Sequence, residues 1–146
     1  MDNYTIRVED APAEAELNFF SVLREYNIAQ VGPSGHRPLT LFLRDAEGAI
    51  VGGLRGSTAW NGLYVSTFVL KEEIRRQGWG SRLLAAAEEE GRKRGCTFAY
   101  LDTFSFQALP FYQKQGYSIF GVLEDYPPGH RCYFLRKSLN SSLPPE

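Results

Sequence analysis

Phe68-Val69-Leu70-Lys71-Glu72-Glu73-Ile74-Arg75-Arg76-Gln77-Gly78-Trp79-Gly80-Ser81-Arg82-Leu83-Leu84 is the stretch on which the fold turns. It leaves an apolar segment, crosses a charged loop with two glycines, and enters a segment of helical periodicity. From Gly80 to Arg94, Leu83, Leu84 and Ala87 form an apolar stripe, and Glu88, Glu89 and Glu90 each stand four residues before Arg92, Lys93 and Arg94. The cations fall in the last turn, where the helix dipole favours them, and Gly95 can supply a left-handed cap. Upstream, about Leu63 to Leu70 reads as a strand. A strand, a glycine loop and a helix together can bind an anion, because the first N–H groups of the helix are unpaired and point outward. Gly78 and Gly80 have no Cβ to keep a phosphate from the backbone, and Arg75 and Arg76 add charge. A diphosphate suits such a loop; a plain tight turn with solvated arginines satisfies the same spacing. No Gly-Lys-Ser/Thr follows, and the third glycine of a dinucleotide fingerprint is missing, so nucleotide hydrolysis and hydride transfer both lose support.

Working outward, Leu39 to Leu43 and Ala49 to Leu54 flank Asp45-Ala46-Glu47-Gly48 and predict a hairpin. Asn61-Gly62 predicts a tight turn with positive φ, which extends the hairpin into a three-strand meander. Towards the N-terminus, Tyr4-Thr5-Ile6-Arg7-Val8 alternates like a short strand. Leu17, Phe20, Val22 and Leu23 then recur near helical spacing between about Ala13 and Tyr26, ahead of the breaker run Gly32-Pro33-Ser34-Gly35. Towards the C-terminus, Thr97 to Leu101 reads as a buried strand and about Gln107 to Gln115 as a short helix ended by Gly116. Ser118 to Leu123 and Cys132 to Arg136 read as two last strands. The expected order is β-α-β-β-β-α-β-α-β-β in a single domain over residues 1–139, with residues 140–146 as a flexible, proline-ended tail.

The 146 residues are 43% hydrophobic and 14% aromatic, enough for one core. With 16 Lys and Arg against 17 Asp and Glu, no global field draws the chain to nucleic acid or to an anionic membrane. No apolar run approaches the ~18 residues of a membrane span, and MDNYTIRVED lacks the regions of a signal peptide, so a cytoplasmic location is expected. Cys96 and Cys132 have no ligand partners at metal spacing beyond His130, and both read as small core residues; no metal is expected.

The Phe68–Leu84 run resembles the acetyl-CoA-binding motif of the GCN5-related N-acetyltransferase (GNAT) superfamily, whose core is Arg/Gln-x-x-Gly-x-Gly/Ala. Ala108-x-x-x-Tyr112-x-x-x-Gly116-Tyr117 is similar to its second signature, about 30 residues further on. Leu101 to Ala108 and Glu124 to His130 resemble a bacterial branch of small acetyltransferases. The resemblance implies an α/β (α+β) fold: a mixed, mostly antiparallel sheet of about six or seven strands flanked by about four helices, splayed after the fourth strand. It implies acetyl-CoA as co-substrate and direct acetyl transfer to a primary amine of a small molecule within a ternary complex.

By position in that motif, main-chain groups of Phe68, Val69 and Leu70 hold the pantetheine arm and the acetyl carbonyl, with the Leu70 N–H as oxyanion donor. Arg76, Gly78, Gly80 and Ser81 offer N–H groups to the pyrophosphate, with Arg75, Gln77 and Trp79 lining the loop. Tyr112 is the superfamily's general acid, a phenol still protonated at neutral pH. Ser105 stands where relatives have a cofactor-binding asparagine, and Gln107 is the expected substitute. Ser66 stands where many relatives carry a carboxylate base, so Asp102, Glu124 or Asp125 is left for that role, against a reading in which they are solvated loop residues. Tyr26, Asn27, Trp60, Tyr64, Ser66 and His130 complete the expected acceptor-side residues; His36 reads as exposed. A protein or peptide acetyltransferase acting on lysine or an N-terminus, a CoA-binding module without catalysis, and association into a homodimer are the alternatives that the resemblance leaves open.

Overall fold

In a computed structural model the described residues are 3–140, and the chain divides into two compact units, Met1–Ser34 and Gly35–Glu146. The first unit carries α1 (Glu14–Leu17), a 3-10 turn over Asn18–Phe20 and α2 (Ser21–Val31), closed by Gly32 at φ 85°. The expected strand at Tyr4–Val8 is not formed: residues 3–9 have no regular structure, and Tyr4, Ile6 and Val8 are almost fully exposed. Alternation selects a face only when a neighbouring strand supplies the ladder, and none does here.

The second unit carries β1 (Arg37–Arg44), β2 (Ile50–Ala59), β3 (Gly62–Leu70), α3 (Trp79–Lys93), β4 (Phe98–Phe104), α4 (Leu109–Lys114), β5 (Ser118–Glu124) and β6 (Arg131–Ser138). One six-stranded sheet runs β1-β2-β3-β4-β6-β5, antiparallel throughout except for the β3–β4 pair. The expected meander is present, with its second turn one residue early: Ala59 pairs with Gly62, and Trp60 rather than Asn61-Gly62 takes the positive φ, 47°. Leu39, Leu54, Leu63, Leu101 and Leu135 meet the Leu83, Leu84 and Ala87 stripe of α3 to form the core. Cys96 and Cys132 are buried free thiols. Gly95 caps α3 at φ 88° as the sequence predicts.

Not every expected ion pair forms. Arg94 meets Glu90 at 3.3 Å, whereas Arg92 turns to Glu89. Glu88 points inward at 4% exposure, accepting from the Tyr117 hydroxyl (2.7 Å) and from Lys137 Nζ (2.9 Å). It lies one turn from Leu84 on the buried side, so the face of the helix overrides the i,i+4 spacing.

Two irregularities in β3 prepare the site. Arg55 pairs with Thr67 but Gly56 with Val65, so Ser66 is the extra residue of a β-bulge, its hydroxyl donating to the Arg55 carbonyl at 2.9 Å. The bulge resets the alternation, and Val65 and Phe68, three residues apart, both turn to the core. Opposite it, a Cβ on Gly56 would run into the Tyr64 carbonyl oxygen, which is backbone and cannot swing away. Gly56→Ala is therefore expected to lower unfolding stability by about 1–3 kcal/mol, measured as a shift in the denaturant midpoint. The second irregularity is a fork: β3 pairs with β4 only from Gly62↔Phe98 to Val65↔Leu101, and beyond that point the two strands part.

Candidate active site

The fork exposes main chain. The Lys71 N–H donates to the Val51 carbonyl at 2.8 Å, which fixes the phase of the β2–β3 ladder. Alternate residues of an antiparallel strand face the same neighbour, so Val69 and Thr67 also pair towards β2, and the N–H groups of Phe68 and Leu70 point the other way, into the fork. Of the three residues expected to offer main chain there, Phe68 and Leu70 do so, while the Val69 N–H belongs to the ladder.

A cavity of about 920 Å³ fills the fork and continues to the start of α3. Phe68, Val69, Leu70, Arg75, Arg76, Gly78, Gly80, Ser81, Gln107 and Tyr112 line it, together with Ser66 and Asp102. Gly78, at φ 87°, begins α3 without a side-chain cap, and the first intrahelical bond runs from Arg82 N to the Gly78 carbonyl. The N–H groups of Trp79, Gly80 and Ser81 thus have no intrahelical partner. The Arg75 Nε folds back to donate to the Leu70 carbonyl at 3.0 Å, and Arg76 sits in the left-handed region at φ 65°. On the far wall Gln115 Nε2 donates to Ser81 Oγ at 2.9 Å, tying α4 to the first turn of α3. The Gln107 Oε1 accepts from the Phe104 N–H at 2.8 Å, so only its amide hydrogens are left for the cavity.

Tyr112 occupies the buried end of α4 at 7% exposure, its ring edge-on to Phe68, Phe111 and Tyr117. Burial, with a smaller push from the charge of Asp102, raises its phenol to about 12. Asp102 stands on β4 just past Leu101, the last residue paired with β3, and accepts a hydrogen bond from the Tyr64 hydroxyl at 3.0 Å. Burial, then that bond, raises the Tyr64 phenol.

Other expected residues of this unit lie elsewhere. Gln77 Nε2 donates to the Glu73 carbonyl, and Trp79 carries the Arg82 guanidinium over its ring at 4.3 Å; neither lines the cavity. Trp60 is in the β2–β3 turn, at the opposite end of β3 from Leu70. Tyr26 and Asn27 belong to α2 of the N-terminal unit. Glu124, Asp125 and His130 line a second cavity of about 530 Å³ with Ser105, Gly129, Arg131 and Tyr133. There Glu124 pairs with Arg131 at 2.8 Å, Asp125 accepts from the Gly129 N–H, and Ser105 Oγ lies 3.3 Å from His130 Nδ1. Sequence reasoning did not single out Thr103, Phe106, Phe111 or Lys114, all of which line the main cavity. Thr103 and Phe106 precede the helix signature, and Phe111 and Lys114 stand at positions it leaves unspecified, so no motif residue marks them. Among the described residues no three His, Cys, Asp or Glu side chains gather as a metal site, and no helix is long and apolar enough to cross a membrane.

The sheet thus forks beside an uncapped helix start, and one cavity, lined also by Tyr112, joins the two. Residues 3–117 match the Acetyltransferase (GNAT) family, and the chain belongs to it. An acetyltransferase of Agrobacterium fabrum is 41% identical over 127 residues, spanning 87% of this chain and 93% of its own length. Blasticidin-S acetyltransferase of Streptomyces morookaense is 38% identical over 107 residues, 70% of this chain and 79% of that protein. The crystal structure of an acetyltransferase from Bacillus cereus superposes with a TM-score of 0.83 at 31% identity, covering 91% of this chain and 97% of that one. The protein is an acetyltransferase with the mixed, mostly antiparallel sheet expected from its motifs.

Proposed function

We propose that the protein transfers the acetyl group of acetyl-CoA directly to a primary amine of a small molecule. The observation that carries this reading is the continuity of one cavity. At one end it offers the free N–H groups of the α3 start beside Arg75 and Arg76; at the other, the inward N–H groups of Phe68 and Leu70 share its wall with Tyr112. The first end suits a pyrophosphate, because unpaired N–H groups, the helix dipole and two guanidiniums all favour negative charge. The second suits an amide-bearing arm and a thioester, because strand main chain pairs with amides as another strand would. The Leu70 N–H then stabilises the oxyanion as the amine adds, and the Tyr112 hydroxyl hydrogen-bonds the departing sulfur. Neither cysteine of the chain lines the cavity, which favours direct transfer over a covalent acyl-enzyme. The blasticidin-S relative supports a small-molecule acceptor.

The test is a panel of primary amines comprising polyamines, aminoglycosides, amino-acid amides and a lysine peptide, followed by thiol release and mass detection of product. At least one small amine is expected to be acetylated faster than the peptide. Turnover of the peptide alone would replace this reading with protein acetylation, and acetyl-CoA binding with no turnover would leave a binding module. In Gly80→Asp the new side chain projects towards Leu70 and Phe111 and sets a carboxylate at the anion-binding end. Calorimetry is expected to show acetyl-CoA affinity at least ~100-fold weaker, the loss of more than one charge-assisted hydrogen bond. Unchanged affinity would place the cofactor elsewhere.

A further inference from the structure

Nineteen residues line the main cavity, and their charged side chains are Arg75, Arg76, Lys114 and Asp102. Asp102 is thus the sole carboxylate among them. The other acidic residues considered as bases from the sequence are committed elsewhere: Glu124 to Arg131 and Asp125 to the Gly129 N–H, both in the second cavity. Ser66, also in the wall, gives its hydroxyl hydrogen to the Arg55 carbonyl. The cations come from the loop before α3 and from the end of α4. The carboxylate comes from the crotch of the fork, one residue beyond the last β3–β4 pair. The titratable groups that face it are Tyr64 on β3, Tyr112 on α4 and Cys132 on β6, whose thiol is raised by burial and then by the Asp102 charge. None of these three is a cation; the cations of the cavity are Arg75, Arg76 and Lys114.

Resting on the acetyl-transfer reading above, we propose that Asp102 is the catalytic base that takes the first proton from the acceptor's ammonium group and selects cationic primary amines, and that Tyr64 is its positioning residue. An amine bound at neutral pH arrives as R–NH3+, with no lone pair to attack. Asp102 attracts it, removes one proton and passes that proton to solvent. The freed lone pair forms the C–N bond, the carbonyl electrons move to the oxygen facing the Leu70 N–H, and the nitrogen now bears one surplus proton. As the C–S bond breaks, Tyr112 protonates the sulfur, and the surplus nitrogen proton restores the phenol. The products are the amide, CoA thiol and one proton released to solvent. Tyr64 acts through its hydroxyl, which holds one Asp102 oxygen and leaves the other for the ammonium.

The experiment uses the full chain and the best primary amine from the panel above, with kcat/KM followed as a function of pH for wild type, Asp102→Asn, Asp102→Glu and Tyr64→Phe, and with acetyl-CoA affinity measured for each. Asp102→Asn is expected to lose about 10²–10⁴-fold in kcat/KM at neutral pH. That deficit should shrink as the pH passes the amine's own pKa, because the acceptor then arrives deprotonated. Asp102→Glu should recover part of the loss. Tyr64→Phe should show a smaller deficit with the same pH dependence and add nothing to Asp102→Asn. A deficit equal at every pH, no deficit, or weakened acetyl-CoA binding in Asp102→Asn would each overturn the proposal. If wild type acetylates no amine of the panel, the acetyl-transfer reading itself has failed, which that control alone shows.

Discussion

Tyr112→Phe is expected to lower kcat about 100-fold while leaving acetyl-CoA affinity and thermal stability close to wild type. The phenol ring is held by Phe68, Phe111 and Tyr117, all of which a phenylalanine ring still meets, so the substitution removes the hydroxyl and little else. Burial keeps that hydroxyl protonated: with the phenol raised to about 12, it is a donor at every pH at which the enzyme would be assayed. On the proposed mechanism an acid so weak would hand over its proton late, and most of its effect would come from hydrogen-bonding the sulfur as charge develops there. Losing one donor to a charged transition state costs about 2.7 kcal/mol, hence the factor. The check is steady-state kinetics beside calorimetry: a parallel fall in affinity would mean that the residue packs rather than reacts. From the same shift, no alkaline limb due to this group should appear in kcat below about pH 11. Its raised pKa also means that its contribution to stability is complete below pH ~10 and lost as the pH climbs through about 12.

The largest effect on stability is expected from Glu88→Ala. The carboxylate is 4% exposed and holds both the Tyr117 hydroxyl and Lys137 Nζ, joining α3 to β6 and to the residue that follows Gly116. Removing it leaves a buried hydroxyl and a three-quarters-buried ammonium without their acceptor. The cost is about 3 kcal/mol, towards the lower end for a broken buried pair because Lys137 keeps some access to water. Urea unfolding should show a lower midpoint at unchanged m. Glu88→Gln, which retains an acceptor for Tyr117, should lose distinctly less. Because Tyr117 packs against Tyr112, Glu88→Ala should also lower kcat more than it raises the KM for acetyl-CoA.

The turn into α3 was legible because glycine spacing, charge and helix onset are all local properties: Gly78 takes φ 87° where the helix starts and Gly95 φ 88° where it stops. The acidic run 88–90 was legible only as a helix surface. Which of the three glutamates turns inward depends on where Lys137 and Tyr117 arrive, from residues 49 and 29 positions away. The late-loop carboxylates show the same limit: Glu124 and Asp125 look like base candidates until Arg131 and the Gly129 N–H are seen to occupy them.

The chain by itself determined the order of its helices and strands from α1 onward, the glycine turn into α3 and the tyrosine signature, since each depends on periodicity, backbone freedom or charge within a few neighbouring residues. Tertiary structure alone decided that β3 leaves β4 after Val65, which main-chain groups then lack partners, and which single carboxylate stands in the opening. These are properties of strand pairing between distant segments, where one bulged residue at Ser66 changes which way every later side chain and N–H points.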